Sequence, residues 1–198
     1  MNLRRAVLGT LLAVLAGCAA PPPLSMPDEL AGAGTLARTG RFAVRVEPVG
    51  ADPEAVQGGF AWYDSGTQVR LDLMTPVGTS LARVEIGPDG RAVLIESNGN
   101  RTEADSADAL VERVLGTPIP VQELRYWLRG RLPSRPGSAV TVLEHDERQR
   151  PLSFVHTGWQ VRVEAYDDLG PLRMQLHRAE PGVRTIEVRL SITRAIPS

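Results

Sequence analysis

The sequence predicts a mostly β domain of the α+β class: about ten antiparallel strands in a curved sheet or partial barrel, interrupted by short helices. Three observations lead there. From Arg41 onward, apolar residues alternate with charged or polar ones at a period of two. Turn-forming clusters such as "DSG" (64–66), "PDG" (88–90), "NGN" (98–100), "DDLG" (167–170) and "EPG" (180–182) punctuate the alternation at short intervals. One mid-chain stretch, 105–130, changes to helical spacing. A chain of 198 residues is long enough for one domain with a core, and 42% hydrophobic with 23% charged residues is ordinary for a globular protein. The sequence contains no internal repeat and no sign of a second domain.

The chain opens with Arg4 and Arg5, then "AVLGTLLAVLA" (6–16), an apolar run of signal-peptide length and too short to span a bilayer. It ends in "LAGC" (15–18), and Cys18 is the one cysteine of the chain. A lone cysteine in an exported protein forms no internal disulfide, so it is either a free thiol or a modified one. "LAGC" resembles the lipobox of bacterial lipoproteins, in which the cysteine is acylated and becomes the mature N-terminus. That resemblance implies a signal peptide over 1–17 and several acyl chains on Cys18, enough for stable anchoring where one chain is marginal. In the sorting rule of Gram-negative lipoproteins, Asp after the cysteine favours the inner membrane; Ala19 stands there instead and points to the outer membrane. "AAPPPLSMP" (19–27) reads as an extended tether, which at ~3.1 Å per residue holds a domain of residues 28–198 roughly 25–30 Å from its anchor.

Within the domain, "PDELAGAGTLART" (27–39) is a possible helix weakened by its glycines. "RFAVRVE" then places Phe42, Val44 and Val46 on one strand face, "GGFAWYD" places Phe60 with Trp62, and "QVRLDL" places Val69, Leu71 and Leu73 together. In "DSADALVERVLG" (105–116), Asp105 or Ser106 caps a helix with Leu110, Val111, Val114 and Leu115 on one stripe, and Gly116 ends it. After "TPIP" (117–120), "VQELRYWLRG" (121–130) forms a second stripe of Val121, Leu124, Trp127 and Leu128, with Gly130 as its stop. The alternation returns in Trp159, Val161 and Val163, in Leu172, Met174 and Leu176, and in Ile186, Val188, Leu190 and Ile192.

Chemistry-bearing patterns are scarce. The net charge is −1, and all 22 basic residues are arginine, a balance that argues against a general nucleic-acid binder. His145, His156 and His177 have neither metal-ligand spacing nor a cysteine partner. His177 falls on the polar side of its strand, and His156 continues the Leu152–Phe154 face toward partial burial. Asp167 and Asp168 read as turn formers. There is no nucleophile elbow, phosphate loop or dinucleotide fingerprint, so an enzyme is not the expectation. Arg125, Arg129, Arg131 and Arg135 crowd the second helix and its exit; they form either a solvated face or a docking patch for an acidic partner.

The hairpin tip "TPVGTS" (75–80) raises a separate question. Pro76 and Gly78 suit a turn, but Val77 between them is a branched hydrocarbon. Spacing alone leaves it either tucked inward or facing water.

Together, the lipobox, "GRFAVR" (40–45), "GGFAWYD" (58–64), "LDLMTPVGTSLARVEI" (71–86) and above all "ADALVERVLGTPIPVQELRYWLRGRLP" (107–133) resemble the outer-membrane lipoprotein receptor family LolB. The resemblance implies an unclosed antiparallel β-barrel with helices over its opening and a hydrophobic cavity between sheet and helices. It implies acceptance of lipoproteins from the periplasmic carrier LolA and their insertion into the inner leaflet of the outer membrane, by a monomer with no cofactor. The residues assigned to the cavity are Phe42, Phe60, Trp62, Leu71, Leu73, Trp127, Trp159, Val161, Leu172, Met174 and Leu176; alternation puts them on common faces, and a solid core remains the other reading. The family's Pro–aliphatic–Gly loop touches membrane phospholipid, which carries that role to Pro76, Val77 and Gly78. The familiar version has Leu where this chain has Val77. The rivals are a structural or interaction lipoprotein with a solid core, a soluble lipid shuttle, and a lipid hydrolase.

Acylation of Cys18 has a direct test. In Gram-negative cells grown with labelled palmitate, the wild-type chain is expected to take up label and Cys18→Ser to take up none and keep residues 1–17.

Overall fold

The protein's structure, a computed structural model, describes residue 32 and residues 34–134 and 138–193. Cys18, the tether and Arg135 lie outside the described residues. Among the described residues, eleven strands form one antiparallel sheet: β1 (Leu36–Pro48), β2 (Glu54–Asp64), β3 (Val69–Met74), β4 (Ser80–Ile86), β5 (Ala92–Glu96), β6 (Arg101–Ala104), β7 (Val140–His145), β8 (Pro151–His156), β9 (Trp159–Tyr166), β10 (Pro171–Glu180) and β11 (Arg184–Thr193). Their order is β6-β5-β4-β3-β2-β1-β11-β10-β9-β8-β7, so the first and last strands pair at the centre while β6 and β7 are the free edges. The barrel is therefore unclosed, with one strand more than the ten or so expected.

Alternation does the sorting. Phe42 lies opposite Gly58 on one side and Leu190 on the other, and Val44 lies opposite Val56 and Val188. Phe42, Val44, Phe60, Trp62, Leu71, Leu73, Val188 and Leu190 are all buried in one continuous core on the concave face. Gly58 serves this register: a Cβ there would stand 2.3 Å from the Met74 carbonyl oxygen and 2.9 Å from the Phe42 ring.

The weak helix expected over 27–39 is overturned in its described second half, because Leu36–Thr39 opens β1. The reason is Arg38. It points inward with 0% exposure and forms a fork of two bonds, 2.7 and 2.8 Å, to the Asp167 carboxylate. Asp167 does sit in its turn, where it also accepts from the Leu169 and Gly170 N–H groups. The Arg38 bonds above all, with those amides, hold its carboxyl below the ordinary range.

Two helices cross the concave face. In α1 (Ala107–Leu115), the Ser106 hydroxyl accepts from the Ala109 N–H, and Gly116 ends the helix at φ 75°, its N–H donating to the Glu112 carbonyl. Helix α2 (Val121–Trp127) is shorter than the stripe through Gly130 suggests; the chain leaves it in a turn that ends at Gly130, φ 65°. Asp108 of α1 accepts the Gln122 N–H at 3.0 Å and ties the two helices together.

Arg125 and Arg129 are neither a free solvated face nor an open docking patch. Both reach Asp64, at 3.0 and 3.2 Å, and its side chain is 1% exposed. Arg129 also donates to the Asp64 carbonyl at 2.8 Å. Helix α2 is thus clamped to the end of β2.

Asp64→Ala strands two guanidiniums that retain some contact with water. It is expected to lower unfolding stability by about 2–4 kcal/mol, seen as a lower urea midpoint at unchanged m-value. Asp167 adds a pH signature. With its folded pKa depressed, its stabilisation is full above its unfolded value and is lost as pH falls through the folded one. Asp167→Asn should flatten that acid-side loss in urea midpoints measured from neutral pH downward.

Candidate functional site

Between helices and sheet lies a cavity of about 50 Å³ lined by apolar side chains. The sheet supplies Phe42, Val44, Phe60, Trp62, Leu71, Leu73, Val188 and Leu190. The roof is Val111 and Leu115 of α1, Ile119 of the connector, Val121 and Leu124 of α2, and Leu128 after it. Five of the eleven residues assigned from the sequence line this space. Of the roof residues, Val111, Leu115, Val121, Leu124 and Leu128 stand on the helical stripes read from the sequence and Ile119 stands on neither; period alone does not say that a stripe faces a void.

Trp127, Trp159, Val161, Met174 and Leu176 are buried in the same core without lining the cavity. That half is solid: Trp127 packs edge-on against Phe154 at 5.5 Å between ring centroids, and the Arg178 guanidinium lies 5.8 Å from the Trp159 ring centre. Leu172 belongs to neither group. It is half-buried, because register shifts flank Arg173 in the β9–β10 ladder and break the alternation that Leu172, Met174 and Leu176 suggest.

The space would hold only a few waters, far too little for an acyl chain. The cavity is thus narrow rather than sealed, and an acyl chain fits only if α1 and α2 lift from the sheet or the lining side chains repack.

His156 fixes part of the roof and part of the insert that follows it. It is 1% exposed, stands 3.4 Å from the Glu123 carboxylate of α2 through Nδ1, and shares a 2.8 Å hydrogen bond with the Ser138 hydroxyl through Nε2. Its ring is edge-on to Trp127 at 5.9 Å. Sequence spacing could not have joined these residues from three separate segments. The order of contacts resembles that of a hydrolytic relay, but the burial and the Trp127 packing make it a pin for α2.

The tip between β3 and β4 has a firm backbone. The Thr75 N–H donates to the Thr79 carbonyl at 2.8 Å, the Gly78 N–H to the Thr75 carbonyl at 2.9 Å, and the Thr79 N–H to the Thr75 hydroxyl at 3.1 Å. Gly78 takes φ 90°, a conformation side chains resist. Pro76 is exposed beside it, and Val77 is 88% exposed, the most exposed of the large hydrophobic residues among the described residues. The choice left open by spacing resolves outward.

The family model described as "Outer membrane lipoprotein LolB" matches residues 36–194. The chain belongs to the LolB family. "Outer-membrane lipoprotein LolB" of Bordetella pertussis is 48% identical over 186 residues, covering 93% of this chain and 89% of that protein. The Bordetella petrii protein of the same name is 46% identical over the same spans, and that of Cupriavidus necator is 36% identical over 187 residues, 93% of this chain and 92% of its own. Among solved structures, a LolA superfamily protein from Nitrosomonas europaea aligns with a TM-score of 0.44 at 8% identity, covering 81% of this chain and 87% of that one.

If the LolB-family cavity is the place where apolar ligands enter, filling it is decisive. Val188→Trp is expected to weaken uptake of a fluorescent fatty acid at least tenfold. Val163→Leu, in the solid half, should leave the titration unchanged.

Proposed function

We propose that this protein is an outer-membrane lipoprotein receptor that takes acylated lipoproteins from the periplasmic carrier LolA and inserts them into the inner leaflet of the outer membrane. In this reading residues 1–17 are removed, acylated Cys18 is the anchor, residues 19–27 are the tether, and the domain faces the periplasm as a monomer. It carries out no covalent chemistry and uses no cofactor. The observation that carries the proposal is the all-apolar cavity roofed by two helices in a chain of this family.

Exposing a palmitoyl-length chain to water costs on the order of 12 kcal/mol at ~0.8 kcal/mol per methylene. Unassisted crossing of the periplasm would be extremely slow, and a chaperone cavity avoids that cost. With no energy source, cargo runs toward tighter binding, from carrier to receptor to membrane. Val77, held outward by the Thr75–Thr79 turn, is the residue we assign to the membrane contact that completes the last step. Val buries less area than the Leu familiar in this loop, so the contact is weaker than in that version or shared with neighbours such as the half-buried Met74.

The small volume of the cavity and the solid packing around Trp127 favour a second reading, a structural lipoprotein of the envelope. Transfer separates the two. The domain released from its anchor is mixed with carrier loaded with a lipoprotein, and cargo is followed without added nucleotide. Wild type is expected to take the cargo and pass it to liposomes, and Val77→Glu to take it but release at least tenfold less. If wild type takes none from its cognate carrier, the structural reading replaces the receptor reading.

A further inference from the structure

Outside the cavity, the convex face of the sheet holds a shallow trough of about 320 Å³ across β2, β1, β11, β10 and β9, walled at one end by Pro76 of the Val77 loop. Its floor contains the small side chains of Ala43 and Ser191, and three arginines stand around them. Arg41 and Arg173 lie opposite Ser191 from its two sides, and Arg189 lies opposite Ala43. The arginines therefore sit on adjacent strands, with ~4.8 Å from each strand to the next.

The charges are available. Arg41 and Arg173 have no carboxylate within salt-bridge distance among the described residues, and Arg189 meets Glu187 only at 3.6 Å with 70% of its own side chain exposed. Glu164, the one acid in the trough wall, accepts from the Gln175 side-chain amide and keeps its charge, so three arginines stand against one carboxylate in the lining. A locally positive surface on a chain of net charge −1 is an asymmetry that points to an anionic partner. Arginine forks suit phosphate oxygens, which they can meet with two bonds at once.

We propose that Arg41, Arg173 and Arg189 bind the phosphate headgroups of anionic phospholipids, so that the domain lands on the bilayer by this convex face with the Val77 loop at its margin. The choice of a lipid surface over an acidic protein rests on Pro76, which joins the trough to the loop assigned above to the membrane; in that sense the inference builds on the proposed function. The loop supplies apolar insertion and the trough supplies orientation.

The test uses the mature acylated chain in vesicles. With Cys18 acylated, Ala55→Cys on the convex side of β2 provides the one thiol for a donor dye, and acceptors are placed on lipid headgroups. Energy transfer is expected to be high with phosphatidylglycerol present and to drop in phosphatidylcholine alone or at high salt. Each of Arg41→Gln, Arg173→Gln and Arg189→Gln should lower the docked-to-undocked ratio about fivefold. Such exposed changes alter stability little, which thermal unfolding verifies. Transfer indifferent to lipid charge and to all three substitutions overturns the proposal; if Val77→Glu still lowers it, the loop assignment survives alone. If the arginine changes lower it and Val77→Glu does not, the headgroup site stands and the loop assignment falls. Arginine variants that approach vesicles normally but no longer accept cargo from carrier would give the patch to the carrier protein and overturn the proposal as well.

Discussion

An antiparallel sheet that does not close has one apolar face and nothing of its own to cover it. In this protein eleven strands curl around that face, with the edges β6 and β7 left unpaired to each other. The remaining opening is covered by the segment that joins those two edges in sequence, α1 and α2. Position in the chain and position in space agree: the connection between the free edges is the lid. The core, the cavity and the helix contacts all follow from this one requirement to cover apolar surface.

The lid is held in two physically different ways. Its polar contacts are directional: Asp64 with Arg125 and Arg129, and Glu123 beside His156, hold it to the sheet, and Asp108 with the Gln122 amide holds the two helices to each other. In its middle it meets the sheet through apolar side chains around a small void. Apolar contacts have no angular preference and can be remade against an acyl chain as well as against Phe60 or Leu71, while the polar contacts keep the helices in register. A lid of this kind can exchange one hydrocarbon surface for another at little net cost, as the proposed downhill transfer of acyl chains requires.

Much of this was legible in the sequence because the period-two pattern is carried by residues that pack in the concave core, such as Phe42, Val44, Trp62 and Val188. It failed where a charge takes an inward position. Arg38 hides the start of β1, and its partner Asp167 is 129 residues away, beyond the reach of any local pattern. It failed again at Leu172, where a register shift changes the facing of a residue without changing its spacing. A periodic pattern names a face and cannot show whether that face meets a neighbour or a void: Trp127 and Trp159 stand on faces that point to the cavity yet pack solidly, while Val111, Leu115 and Leu124 line the void from stripes that read equally well as core. The Arg125–Asp64 and Arg129–Asp64 contacts were invisible for the same reason as Arg38: they join residues 61 and 65 positions apart.

The proposed receptor function requires that an acyl chain enter between the helices and the sheet. A photo-crosslinking amino acid at Leu115, half-buried at the cavity, compared with one at the half-buried Tyr126 outside the cavity lining, tests it most directly during transfer from loaded carrier. Light-dependent coupling of Leu115 to the cargo's acyl chains is expected, with little at Tyr126. Equal coupling at both positions, or none at Leu115 while cargo still transfers, would place the acyl chains elsewhere and contradict that entry route.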